Sequence, residues 1–403
     1  MRVTDNMKYA LAIGNMNSLQ QGYNELLTKL ATQKRINRPS DDPTGLMKVL
    51  DCRQTLSSIA QYQSNIERGK TWIAMTETTL SGIRGLLAQV EVAAGNFATE
   101  TPSSRTILAG QVREMRDQIH ALANTSLGGN YLFSGSLVGT EPFSKTPLSA
   151  DTEIGMGARN LYGDALAVSG TYQGTSNKTY VIKMTEDGVV GSASYQLSTD
   201  GGKTWGAPMN TWEAGNTILL DANGTPLDPS DDLSLVFESG QNVGKDDVFY
   251  VRAYAAGFYR GDGQALSLPI GHENIAEYSS PGEGLFVPKN GQGVDLFQVL
   301  SDLIAAMESD DQAAVAALGD DLAQARRQLE LGSSLSATKQ NRLEMAKNSL
   351  ARLDQRVTDI AANIENANIT EIAMLLSMKD IALQSTYSLA AKLGQNSILN
   401  FLR

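Results

Sequence analysis

From Ile59 to Phe97 the chain repeats an apolar residue every seven positions. Ile59, Ile66, Ile73, Leu80, Leu87 and Ala94 form one row. Tyr62, Gly69, Thr76, Ile83, Val90 and Phe97 form a second row three residues on. A heptad held this long requires a straight helix with a partner along its whole face. At 1.5 Å per residue the rod is about 58 Å long, more than one globular core can cover. Gly69 and Thr76 are its weak positions.

A matching seam lies at the other end of the sequence. Leu343, Leu350, Val357 and Ile364 form one row, and Ala346, Leu353, Ile360 and Ala367 the other. The same register runs back through Leu329, Ala325, Leu322, Leu318 and Val315. Two seams separated by more than two hundred residues predict a hairpin of rods closed around a long insertion. Gly332, Ser336 and Lys339 interrupt the second seam and predict a kink or register change there.

Glycine, proline and charge divide the chain in the same places. Residues 128–290 hold 24 of the 37 glycines and 8 of the 11 prolines. Formal charge is +3 over 1–127, −10 over 128–290 and −4 over 291–403. An acidic middle argues against nucleic acid, because neutralising phosphates takes a basic face. The near-neutral arms suit packing against protein. A lone cysteine, Cys52, excludes a disulfide framework, and with only His120 and His272 the common zinc patterns fail. There is no secretory signal pattern and no run of eighteen apolar residues, which by itself reads as cytoplasmic, without membrane insertion.

Residues 5–33 carry an amphipathic stripe, and Asn37 to Asp42 breaks it. The next helix starts at Asp42, with Asp41 or Asp42 as N-cap and Pro43 at the first helical position, where its missing N–H costs nothing. The long rod ends near Ala98, Thr101 to Ser104 is a turn, and a second helix carries Ile107, Val112, Met115, Ile119 and Leu122. In the middle, Thr179–Met184, Ala193–Ser198, Leu233–Glu238 and Val248–Tyr254 read as strands. Asp200-Gly201-Gly202 and Asn223-Gly224 are hairpin turns. Helix resumes at Val294, and apolar spacing continues to Phe401. Apolar helices at both ends need burial by each other or by another molecule. The fold class is mainly α with an inserted β domain. The N- and C-terminal helices pair into a long coiled-coil rod, with a small β barrel or sandwich at the far end. Residues 1–42 and 368–403 are the terminal helices, 43–130 and 291–367 the rod, and 131–290 the outer β-rich domain.

Three local patterns invite a ligand or enzyme reading. Ser198 to Trp205 resembles the Asp-box hairpin of sialidases, but in one copy, and the middle has only Arg159, Arg252 and Arg260. Asp221, Asn223, Asp228, Ser230 and Asp232 make a carboxylate-rich loop whose Pro226 stands where an EF-hand needs glycine. Arg260-Gly261-Asp262 spells an integrin tripeptide and reads as a turn. No nucleophile–base pair, phosphate loop or metal-ligand set stands out, so no catalytic residue, cofactor or metal is expected.

The blocks flanking the seams resemble those of the bacterial flagellin family. Lys34-Arg35-Ile36-Asn37-Arg38-Pro39-Ser40-Asp41-Asp42 is similar to its R-[IV]-N-x-x-x-D-D block. Ser334 to Arg342 and Ile364 to Glu371 resemble its two C-terminal blocks. Pro39 and Pro43, Asn130 to Ser136 with Pro142-Phe143, and Tyr259 to Asp262 followed by Ile270-Gly271 resemble the family's hook–filament junction members more than its filament subunits. Ile83 to Gln89 only partly echoes the family's immune-receptor motif.

The resemblance implies a non-enzymatic structural protein that forms a ring with copies of itself. Its implied partners are the other hook-associated junction protein, flagellin, and an export chaperone at the C-terminal helix. It also implies export by the flagellar type III apparatus without a cleaved signal, hence an extracellular place on the flagellum in spite of the signal-free sequence. Leu11, Ile13, Leu19, Leu26 and Leu30, with Ile381, Leu389, Leu393, Ile398, Leu399 and Phe401, are then assembly-interface residues. Ile59, Ile66, Ile73, Leu80, Ile83, Leu87, Leu343, Leu350, Leu353, Val357, Ile360 and Ile364 form the rod seam. Filament flagellin is the nearer alternative. A secreted glycan-binding protein is the distant one, and it would call for a second Asp-box or an arginine cluster.

Overall fold

The computed structural model describes residues 5–174, 176–220, 232–289 and 292–401. Side chains of 5–9, Ala12 and 392–401 lie outside that description. The helices are α1 (Asp5–Thr32), α2 (Pro43–Asn96), α3 (Pro102–Ala123), α4 (Leu296–Glu308), α5 (Gln312–Ala317), α6 (Gly319–Glu365) and α7 (Ile369–Phe401). The chain divides into two units, residues 1–63 with 347–403, and residues 64–346.

In the first unit α1 packs along α7, and the start of α2 and the end of α6 belong to the same unit. Asp42 is the N-cap of α2: its Oδ1 accepts from Gly45 N at 2.8 Å, and Pro43 is the first helical residue. Asp41 instead closes the preceding turn, accepting from the backbone of Asn37 and Arg38, both at 2.9 Å. Asn368 caps α7 through Thr370 N.

The second unit holds two cores. The helical core joins Leu80, Ile83, Leu87, Val90 and Phe97 of α2 and its end to α3, α4 and α6. Phe133, Phe143, Phe286 and Phe297 close it, with Phe286 ring centroids 5.0 Å from both Phe133 and Phe143. Aromatic edge-to-face packing of this kind adds to burial. Thr101 to Ser104 is a helix start and not a free turn: Thr101 caps α3 and Pro102 occupies its first position. Asp295 caps α4 through Phe297 N and Gln298 N.

α6 runs as one helix of 47 residues through the three positions that interrupt the second seam. Gly332, Ser336 and Lys339 face the returning segment 274–285. A Cβ on Gly332 would collide with Leu285, Ser336 is buried 3.4 Å from Ser280, and Lys339 Nζ donates to Ser279 O. Small and polar residues stand at core positions because a loop, and not a helix, packs there.

The β-rich core draws its buried residues from Tyr162 to Ala255. Its larger sheet sets Val248–Tyr254 antiparallel between Asp151–Met156 and Lys178–Met184, with Tyr195–Ser198 beyond. A second sheet sets Leu233–Val236 between Ala167–Ser169 and Thr217–Leu220. The two remain separate sheets sharing one core, which favours the sandwich over the closed barrel. Segments 132–143 and 258–287 lie within the stretch assigned from sequence to the β domain, yet they supply side chains to the helical core.

Candidate assembly interface

The α2 seam is buried throughout: Ile59, Ile66, Ile73, Leu80, Ile83 and Leu87 are all covered. Its two weak positions have physical reasons. Gly69 leaves room for Leu268 and Leu343, whose methyls would sit 3.0 Å from a Cβ there. Thr76 satisfies its hydroxyl on Trp72 O at 2.9 Å. On α6, Leu343, Leu350 and Val357 are buried and Ile364 is half-buried. Leu353 and Ile360 depart from the seam expectation, Ile360 being 51% exposed. Beyond Leu343 the buried residues of α6 are Leu350 and Val357, while in the second row Ala346 and Ala367 are half-buried and Leu353 and Ile360 are exposed.

The first and last motif blocks meet around Glu365. Lys34 Nζ and Arg53 Nη2 lie 2.6 and 2.7 Å from its Oε1. Arg35 N donates to Glu365 O at 2.7 Å and Ala367 N to Gln33 O at 3.0 Å. Arg35 also reaches Ile364 O and Asp42. The hydrogen bond from Lys34 is the main reason the Glu365 carboxyl is held below its ordinary range. These charged and amide contacts tie the turn after α1 to the turn before α7.

The terminal helices cover little of their apolar surface. Ile372 and Leu383 of α7 are buried. Leu19, Leu26 and Leu30 of α1 are half-buried. Leu11 is 66% exposed, Ile381 is 61% exposed, and Ile13 and Leu389 are also exposed. Leu393, Ile398, Leu399 and Phe401 have side chains outside the described residues. Met374, Met378 and Tyr387 add to the open face of α7.

Patterns that could have signalled chemistry serve structure. Asp200 accepts from Ser198 Oγ at 2.7 Å, from Lys203 N at 3.0 Å and from Thr204 Oγ1 at 2.6 Å. Burial pushes its carboxyl up, but those hydrogen bonds outweigh it and hold the pKa at about 2. In the integrin-like tripeptide Asp262 is buried, takes Ser136 N at 2.7 Å and Gln264 N at 3.1 Å, and is raised by burial. Gly135 packs against it with φ of 72°, where a Cβ would strike the carboxylate. His120 is buried edge-on to Phe297. Of the carboxylate-rich loop only Asp232 is described, and it is buried; Asp221, Asn223, Asp228 and Ser230 lie outside the described residues. Among the described residues no group of three or more His, Cys, Asp or Glu could hold a metal, and no helix is long and apolar enough to cross a membrane.

Residues 3–137 match the model of the bacterial flagellin N-terminal helical region. The chain is 28% identical over 148 residues to flagellar hook-associated protein 3 of Escherichia coli, covering 36% of this chain and 47% of that protein. It is 23% identical over 209 residues to a flagellin of Clostridium tyrobutyricum, covering 50% of this chain and 55% of that protein. The chain thus spans about half the length of the curated relatives it matches. Its fold is similar to that of a putative flagellar hook-associated protein from Vibrio parahaemolyticus, with TM-score 0.50 and 14% identity over 81% of this chain and 100% of that one. Residues 3–137 are thus similar to the flagellin N-terminal helical region, and the structure joins α1 along α7 with a β-rich insert between the helical arms.

Proposed function

We propose that the chain is a non-enzymatic structural subunit of the hook–filament junction, outside the cell, where it adapts the hook to the filament and nucleates flagellin polymerisation. The observation that carries this reading is the similarity to flagellar hook-associated protein 3. The open apolar faces of α1 and α7 support it, since surfaces of this kind mark sites of association. In this reading Leu11, Ile13, Leu19, Leu26 and Leu30, with Ile381, Leu389, Leu393, Ile398, Leu399 and Phe401, are buried only in the assembled structure. Copies of the chain form a ring, with the other hook-associated protein on one side and flagellin on the other. Export uses the flagellar type III apparatus with a chaperone on the C-terminal helix. In this reading 1–42 and 368–403 are the terminal helices, 43–130 and 291–367 the rod, and 131–290 the outer domain.

The similarity to a clostridial flagellin favours a second reading, the filament subunit itself. Electron microscopy of a strain lacking the chain, with flagellin assayed in the medium, separates the two. Bare hooks with flagellin shed into the medium are expected for a junction subunit. Bare hooks with none released would make the chain the filament subunit, and intact filaments would overturn both.

A further inference from the structure

Along one flank of α6, from Gln324 to Arg342, runs a groove of about 800 Å³ that continues into a hollow of about 570 Å³. Its opposite wall is the hairpin ending at Glu277 and the segment after it. The α6 flank is about 27 Å long at 1.5 Å per residue. Leu331 and Leu335 line it, 60% and 52% exposed.

The edge of the groove is basic in a chain whose net charge is −11. Lys203, Lys289, Lys339 and Arg342 face Glu277 and Glu283. Lys203 is 3.4 Å from Glu277 and Lys289 is 3.6 Å from Glu283. Among the described residues Lys339 and Arg342 have no ion pair. Lys339 Nζ donates to Ser279 O at 2.5 Å and Arg342 Nη2 to Ile275 O at 2.8 Å. Two cations are therefore held in place by carbonyls beside an open apolar strip. A carboxylate brought to them meets positive charge held in place, half-buried at Lys339 and exposed at Arg342.

A surface of complementary chemistry lies on the same unit, where α5 ends and α6 begins. Ala316 and Ala317 are exposed there, Asp320 is exposed and Asp321 half-buried. Neither aspartate has an ion pair among the described residues, whereas nearby Asp310 is paired with Arg105 at 2.7 Å.

We propose that the groove receives the α5–α6 corner of a second copy of this chain, with Asp320 and Asp321 against Lys339 and Arg342 and the alanines over Leu331 and Leu335. The two surfaces differ, so the contact is head-to-tail. Such a contact passes from copy to copy and closes as a ring or continues as a helix, and does not stop at a dimer. It supplies a lateral contact for the assembly read above and rests on that reading for its setting.

The test uses the full chain in a Cys52→Ser background. Copies carrying Leu335→Cys are mixed with copies carrying Ala317→Cys and treated with a short bismaleimide at up to about 1 mM chain, so that a millimolar contact is read. A cross-linked dimer is expected in the mixture and not in either variant alone. Arg342→Glu should cut its yield by about tenfold, and Asp320→Lys on the other copy should restore it. Leu335→Glu, at an exposed position, should abolish labelling-independent association in sedimentation while leaving thermal unfolding unchanged. Three outcomes would overturn the proposal: no dimer in the mixture, an equal yield of Leu335→Cys self-dimer, or no rescue by the reversed pair. Each reading is independent of filament attachment, so a strain phenotype that sinks the junction role leaves the cross-link result standing by itself.

Discussion

The two units bury apolar residues to different degrees. In residues 64–346 the interior positions of α2, α4 and α6 are closed off by one another and by the Phe133, Phe143, Phe286 and Phe297 cluster. In residues 1–63 with 347–403, helices of comparable length leave Leu11, Met374, Met378, Ile381, Tyr387 and Leu389 open. Both regions have heptad-like apolar spacing, so spacing alone does not make a core. A seam becomes a core where a third element covers its second row. The α3 and α4 helices and the aromatic loops do this in one unit, and α1 and α7, as a pair, do not.

The largest break in that contrast is expected from Phe297→Ala, which empties the contact with Phe143, Phe258 and Phe286. It should cost about 3–5 kcal/mol in urea unfolding of the second unit. Next comes the pair Leu343→Ala and Ile360→Ala. The buried leucine should cost about 2–4 kcal/mol and the exposed isoleucine less than about 0.5. Equal losses would mean that the second row is covered in the free chain.

Acid sharpens the comparison from another side. Glu365 is held below its unfolded value of 4.5, so its stabilisation is complete above that pH and is lost as pH falls through the folded value. Asp262 and Asp295, both raised from 3.8 by burial, behave oppositely. Between 3.8 and their folded values the folded chain holds the extra protons, so lowering pH into that window adds stability. Hydrogen exchange should therefore show the turns around Glu365 opening in acid before the loops around Asp262. Glu365→Gln should cost about 1 kcal/mol at neutral pH and remove that pH dependence.

A further step down is Asp42→Ala, which removes the cap on Gly45 N and should cost about 1 kcal/mol, read as lost protection in the first turn of α2. Smallest of all in the isolated chain is Ile381→Ser or Leu389→Ser, within about 0.5 kcal/mol by thermal unfolding. A large loss there would show that α1 and α7 already share a closed core.

Long periodic elements were legible in the sequence because their signal accumulates over many turns. The α2 seam is of this kind, whereas the cap at Asp42 and the strand at Val248 to Tyr254 were legible from local residue type. Asp151–Met156 was not legible, being an edge strand whose charged and glycine residues show no apolar alternation. What packs on α6 at Gly332 was not legible, because the covering element is the non-helical segment around Leu285, which leaves no period in the helix facing it. Leu353 and Ile360 were over-read, since periodicity reports which residues share a face and says nothing of whether a partner covers that face. The chain's most explicit interface signal, apolar residues on α1 and α7, was legible as pattern. The pattern does not say what would cover them.

One hairpin stem has a further consequence. Strands Phe143–Leu148 and Gly257–Tyr259 pair antiparallel, Leu148 opposite Gly257, so the chain between them leaves and returns through points about 5 Å apart. The residues of the β-rich core all fall between those points and those of the helical core all fall outside them. The stem is thus a splice site. A lineage or an engineer can replace residues 149–256 with a short turn or a foreign domain, because closing the loop costs little more for a long insert than for a short one. Variation in what such a protein displays can then proceed without any change to the helices that support it.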